Sequence, residues 1–193
     1  MILISRIYNI LFFRPLIRFK LKKAGKNLKI GHKSEFYNLQ FFEIGNDFFS
    51  GPYSYFVTNK NNPVKIGDSV MFGPFCKIIG GNHDLKYDKN HMRFNSKIDH
   101  FHSEIVIENG VWVGANTTIL SNTKLSEGAV VGAQSLVNKY VPPYTISAGC
   151  PIKIIKPRFD SVSELKEILT NVNSKYSIEE IQDIYTKYNF SLK

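Results

Sequence analysis

From Ile107 the chain falls into six-residue words: IENGVW, VGANTT, ILSNTK, LSEGAV, VGAQSL and VNKYVP. Their first letters, Ile107, Val113, Ile119, Leu125, Val131 and Val137, are all aliphatic. Such a column has a chance of about 10⁻³ once the register has been chosen. The fifth column, from Val111 through Thr117, Thr123, Ala129 and Ser135 to Val141, holds only small or β-branched residues. Gly114 and Gly132 stand in the second. The same grammar runs through IGDSVM and FGPFCK, with Ile66, Phe72 and Ile78 leading, and weaker copies begin at Ile30 and Ile44. A period of six fits neither an α-helix nor the strict alternation of a half-buried flat sheet. It predicts a solenoid in which three hexads close a triangular coil. First-column side chains fill the axis, stacked coils pair as parallel ladders, and glycines allow tight corners. The expected fold class is all-β, a parallel β-helix over residues 28–156.

The repeat breaks between Ile78 and Ile105, and residues 79–104 read as one long loop thrown from a rigid scaffold, the usual place for function. Four of the five histidines fall there, His83, His91, His100 and His102, with Asn82, Asp84, Asp88, Arg93 and Asp99. After Pro157 the pattern changes to period 3.6. Ser161 with Glu164, and Ser177 with Glu180, each precede an apolar periodic run and predict two capped helices within 157–193.

Residues 1–27 form a third kind of segment. The stretch from Ile2 to Leu21 is rich in Ile, Leu and Phe but is interrupted by Arg6 and Arg14, so it is too short in apolar run to span a bilayer. It also lacks the cleavage pattern of a signal peptide. Pro15 is expected to kink or break a helix there. The chain carries a net charge of +9, and its distribution is uneven. Residues 1–34 hold nine basic residues and no acid, which leaves 16 basic against 16 acidic elsewhere. A nucleic-acid binder more often spreads such charge over a domain face, so no nucleic-acid partner is expected. The arm suits either packing on a partner subunit or, through residues 1–26, contact with an anionic membrane surface. Cys76 and Cys150 form neither a CxxC pair nor a disulfide framework, which suits a reducing cytoplasm. A cytoplasmic protein, peripheral at the inner face of the membrane, is the expectation.

The stretch VWVGANTTILSNTKLSEGAVVGAQSLVNKYVPPYTISAGCPIKIIK, preceded by IGDSVMFGPFCKI and GGNHD, resembles the hexapeptide-repeat acyltransferases. Within them it is most similar to the galactoside, maltose, xenobiotic and polysaccharide O-acetyltransferases. That resemblance implies a left-handed coil, a homotrimer with sites at subunit interfaces, acetyl-CoA as donor and no metal. It places His83, 17 residues after Ile66, where the family keeps its general base, and Trp112 beside the thiol or acceptor. Backbone near Ala115 and Ala133 corresponds to the wall for the pantetheine arm. Lys139, Lys153, Lys156 and Arg158 match its phosphate contacts. Asn82, Asp84, Arg93 and Tyr53 are expected near the acceptor. The last stands where galactoside enzymes carry an asparagine, and ILSNT lacks the family's usual glycine. Both departures weaken an assignment to small galactosides, and the expected acceptor is a hydroxyl of a sugar or polysaccharide precursor. An antibiotic or serine is the alternative within the class. Outside it stand a non-catalytic β-helix scaffold and a metal-dependent hydratase. The hydratase needs three converging histidines with an i, i+5 pair, a spacing absent here.

Overall fold

A computed structural model describes residues 7–95 and 103–192 of the 193. The candidates Asp99, His100 and His102, and the first six residues of the arm, lie outside the described residues. Strands of two to five residues stack into three sheets of five, seven and five strands, which form the sides of a triangular prism. Face 1 holds Lys23–Ala24, Phe42–Ile44, Val64–Ile66, Ile105–Ile107 and Thr123–Leu125. Face 2 runs through Lys29–Ile30, Phe49–Ser50, Met71–Phe72, Trp112–Val113, Val130–Val131 and Thr145–Ala148, and is closed by Lys153–Pro157. Face 3 holds Glu35–Tyr37, Tyr55–Val57, Lys77–Ile79, Thr118–Leu120 and Leu136–Val137. Every pairing is parallel except the last, where Lys153–Pro157 turns back antiparallel on Thr145–Ala148 and seals the end of face 2. The chain is a parallel β-helix.

The register explains the hexad. Ile44, Ile66, Ile107 and Leu125 stand above one another inside face 1, as Phe72, Val113 and Val131 do inside face 2. The fourth column turns each corner with positive φ, at Asn27, Lys33, Asp47, Tyr53, Ser69, Phe75, Gly110, Asn116, Gly128 and Gln134. Gly114 in the second column is required by close approach: a Cβ there would meet the Ala133 nitrogen at 2.5 Å.

The solenoid begins before the expected boundary. Lys23–Ala24 pairs with Glu43 and Ile44, so the first coil starts inside the segment read as arm. Its first-column residue is Ala24, too small to register as a core position by pattern. Space above it is filled by Ile17 of the helix α1 (Arg14–Lys20) and by its flanking residues Phe13 and Leu21, and the helix lies across the open end of the prism. The early copies look weak for a related reason. Ser50 takes a first-column place because aromatic rings crowd that part of the axis, with Phe36 on Phe56 at 4.9 Å and Phe56 on Phe72 at 5.2 Å. Pro15 neither ends nor breaks the helix. It falls in the first turn of α1, where a missing N–H leaves no bond unmade, just after a π-helical turn at Asn9–Phe13.

At the other pole α2 (Val162–Asn171) and α3 (Ile178–Thr186) each start on a complete capping box, Ser161 with Glu164 and Ser177 with Glu180. They enclose Tyr144, Leu165, Leu169, Ile181 and Tyr185 in a second core against the corner between faces 1 and 2. Among the described residues no helix is long and apolar enough to cross a membrane.

Candidate active site

Three long edges separate the faces, and the expected site residues divide among them. The 25-residue interruption leaves the prism at edge 3–1, after Ile79, and returns at Ile105. Its base is pinned from both neighbouring coils. The Gly81 amide donates to Ser121 Oγ at 2.7 Å. Asn62, buried in the coil on the other side, donates through Nδ2 to Ser103 Oγ at 2.7 Å and to its carbonyl at 3.1 Å. Asn62 in turn receives the Thr58 hydroxyl on its carbonyl. Ser121 follows Leu120, which takes the second-column place where other hexads carry glycine. Neither clamp was foreseen as a functional position. The signal available was the asparagine-rich stretch NKNN, Asn59–Asn62, one coil before the break.

His83 stands just beyond that clamp, exposed, its amide bonded to Asn82 Oδ1 at 2.9 Å. Asp84 directs its carboxylate to the Lys86 amide at 3.0 Å and its carbonyl to Asn95 Nδ2 at 3.2 Å, which makes it a turn-former rather than an orienter of His83. Arg93 lies in a short 3-10 turn, Met92–Phe94, on the exposed side of the same loop, and His91 immediately precedes that turn. Lys139 is exposed on the same edge two coils further on.

Edge 2–3 carries the second group. Ala115 and Ala133 occupy corresponding corners of adjacent coils. There the Asn116 and Gln134 amides close the turns, to Pro74 at 2.9 Å and Ala115 at 2.8 Å. The Ala115 and Ala133 amides donate to no backbone carbonyl among the described residues, and both residues, in line along the edge, reach solvent. Lys153 continues that line, at the start of the returning strand beside Ala148. Trp112 lies three residues before Ala115 on the outer surface of face 2, 49% exposed, between Met71 and Val130. Towards the N-terminal pole the same edge presents Tyr53 stacked on Phe75, with centroids 5.0 Å apart and planes at 7°; both are about half exposed. Both have positive φ, an uncommon conformation for bulky side chains that costs of order 1–3 kcal/mol.

The four basic residues do not form one patch on a single chain. Lys139 is on edge 3–1 and Lys153 on edge 2–3. Lys156 projects from face 2 opposite Ile146. Arg158 reaches edge 1–2, where Nη1 donates to the Gly128 carbonyl at 3.0 Å and the guanidinium lies 5.2 Å from the Phe159 ring. An extended strand separates residues by about 3.3 Å each, which sets Arg158 well away from Lys153. Its observed bonds are those of a structural brace. A groove of about 380 Å³ runs along face 1 past Lys23, Glu43, Lys65 and Glu108, and none of the candidates lines it. Among the described residues no three His, Cys, Asp or Glu side chains gather as metal ligands would.

The histidine loop on edge 3–1 and the corners of Ala115 and Ala133 on edge 2–3 therefore lie apart on one protomer. Edge 3–1 is the vertex opposite face 2, so His83 and Trp112 point away from each other on one protomer. A second copy can present the complementary half.

No protein-family model matches the chain. A chloramphenicol acetyltransferase of Klebsiella aerogenes is 33% identical over 60% of this chain and 63% of its own. A probable macrolide acetyltransferase of Lysinibacillus sphaericus is 29% identical over 67% of this chain and 97% of its own. The chain spans somewhat less than two thirds of the chloramphenicol acetyltransferase. A hexapeptide-repeat acetyltransferase of Vibrio cholerae superposes with a TM-score of 0.67 at 27% identity, over 76% of this chain and 80% of that one. That protein has also been solved in complex with acetyl-CoA. The shared architecture makes the coil a left-handed parallel β-helix.

Proposed function

We propose that the chain, which is similar to hexapeptide-repeat acetyltransferases in sequence and architecture, transfers an acetyl group from acetyl-CoA to a hydroxyl of a glycan precursor, as a homotrimer with its sites between subunits. The observation that carries the reading is the division between two edges: a histidine loop on edge 3–1, and solvent-reaching corners at Ala115 and Ala133 followed by Lys153 on edge 2–3. The second half-site suits a long, flexible donor with an anionic end. Ala115 and Ala133 flank the arm of the donor, Lys153 and Lys156 meet its phosphates, and Trp112 packs beside the thioester. Lys139 of the neighbouring copy adds to the same charge, and Arg158 braces the edge behind it.

His83 accepts the proton of the acceptor hydroxyl as that oxygen attacks the thioester carbonyl carbon. Backbone amides at the corners of edge 2–3 stabilise the oxyanion that develops on the carbonyl oxygen. The carbon–sulfur bond then breaks, and His83 returns its proton to the departing thiolate. The histidine is unchanged after one turnover, and no acyl-enzyme is needed because donor and acceptor are held together.

The Tyr53–Phe75 pair supports a glycan acceptor. A flat aromatic surface beside polar corners suits the apolar face of a sugar ring. Asn82 and Arg93 supply polar contacts from the loop, with Asp84 shaping its turn. An antibiotic acceptor is the second reading, favoured by the chloramphenicol and macrolide acetyltransferases among the relatives. We place the protein in the cytoplasm, peripheral at the inner face of the membrane, where lipid-linked glycan precursors are assembled.

The deciding experiment is an acceptor screen with acetyl-CoA, read by release of free thiol. It includes polysaccharide repeat units, simple sugars, serine, chloramphenicol and a macrolide. Turnover on a repeat unit that falls in Tyr53→Ala is the expected result; turnover on antibiotics alone overturns the glycan assignment. Light scattering after gel filtration should give three chain masses, and a clean monomer at micromolar concentration removes the shared-site model.

A further inference from the structure

An end cap on a solenoid ordinarily turns a polar outer face to water, since its inner face already covers the open core. The N-terminal cap of this chain does the reverse. Ile17, Leu21 and Phe13 point inward and close the first coil, and Arg14 Nε is bonded to the Ile30 carbonyl at 3.1 Å, so the helix is held down firmly. Its outer side then presents Tyr8, Phe12, Leu16 and Phe19, spaced by four, four and three residues along one stripe. Phe12 is 63% exposed and Phe19 87%, and the Tyr8 and Phe12 rings stack on each other at 5.8 Å rather than on the prism. Exposed Ile7, Ile10 and Leu11 widen the apolar area.

Charge selects what can cover this face. Arg18 and Lys20 flank Phe19 in the chain, further basic residues follow, and no acidic residue occurs before Glu35. A helix with an aromatic and aliphatic stripe beside a row of cations has the composition of an element that lies flat in the headgroup region of a bilayer. Anionic headgroups meet the cations while the rings enter the acyl boundary, and neither a purely apolar protein groove nor an acidic polymer satisfies both features.

We propose that the outer face of this cap is a docking surface for anionic lipid, with Tyr8, Phe12, Leu16 and Phe19 inserted and the prism axis standing on the membrane. The proposal rests on the peripheral placement given above and is independent of the acyl transfer. Cyclic symmetry sends every N-terminal pole of an oligomer the same way, so in the proposed trimer three caps meet one plane and bind with avidity.

The test is co-sedimentation of the intact chain with phosphatidylcholine vesicles, with and without about one third phosphatidylglycerol. A variant carrying Phe12→Glu and Phe19→Glu is compared with it, and Val172→Glu, an exposed change at the opposite pole, is the control. The expected result is binding to anionic vesicles that weakens with salt, falls at least about 10-fold in the double variant and survives in the control. Melting curves of the three proteins should nearly coincide, because each substituted side chain is more than half exposed. Absence of binding by the intact chain overturns both the placement and the surface. Equal binding by the double variant overturns the surface while leaving the placement standing. A change of oligomeric mass in the double variant without vesicles identifies the stripe as a subunit contact and overturns the proposal.

Discussion

Replacing Glu108 by Gln should loosen the C-terminal helices from the solenoid, and do so only above acidic pH. The Glu108 carboxylate is 9% exposed at edge 1–2. Its Oε1 accepts from Lys175 Nζ at 2.6 Å and Lys124 Nζ at 3.0 Å, and its Oε2 from the Tyr176 hydroxyl at 2.9 Å and the Glu127 amide at 3.0 Å. Lys175 and Tyr176 lie between α2 and α3, so one carboxylate fastens the hairpin to the prism. Burial alone would raise its pKa, but the four donors outweigh burial and hold it below the ordinary 4.5. Both ammonium groups are about half exposed, so solvent screens them to about 0–1 kcal/mol each. The hydroxyl and the amide are better shielded, and bonds to a charged acceptor contribute about 1.5–3 kcal/mol each. Gln retains one acceptor, and the net loss should be about 2–3 kcal/mol, or some 4–12 °C in melting temperature.

The sign of the pH effect follows from the lowered folded-state value. The advantage of wild type over Glu108→Gln is fully present above the unfolded value near 4.5 and disappears as pH falls through the lower folded one. Thermal melts at neutral pH and at about pH 3, with hydrogen exchange over 162–186, measure it. Equal melting temperatures at neutral pH, or a gap that persists undiminished in acid, refute the reasoning. Tyr176 sets an alkaline limit: burial first, then Glu108, push its pKa from 10.0 up to about 12. Its contribution is present below 10 and is lost as pH rises through the raised value.

His83→Ala should lower turnover by about 10² to 10⁴ with acetyl-CoA affinity nearly unchanged, whereas His91→Ala on the same loop should retain the wild-type rate in steady-state kinetics. Asn62→Ala removes both bonds to Ser103, worth about 0.5–1.5 kcal/mol each; kcat should fall about 10-fold at constant KM for acetyl-CoA, with faster amide exchange over 80–95. Unchanged kcat alongside faster exchange would separate the clamp from catalysis. Lys153→Glu with Lys156→Glu should weaken CoA more than dephospho-CoA in a calorimetric titration, and equal losses would argue against contact with the 3′-phosphate.

The hexad from Ile107 to Val141 was legible because each coil repeats one local rule. An inward aliphatic, a corner glycine or left-handed residue and an inward small residue are choices made within six positions. The same locality made both capping boxes readable, and the histidine loop stood out as the place where the rule fails. Ala24 and Ser50 hid the first coils, since the volume they leave is filled by Phe13 and Ile17 of a helix and by Phe56 and Phe72 of other strands. Sequence placed Lys139, Lys153, Lys156 and Arg158 near one another in number, but a triangular prism sends successive corners to different edges. It is this closure that put His83 on the vertex opposite Trp112, clamped its loop between Asn62 and Ser121, and left Phe19 facing outward. Those relations join residues distant along the chain, and no local pattern encodes them.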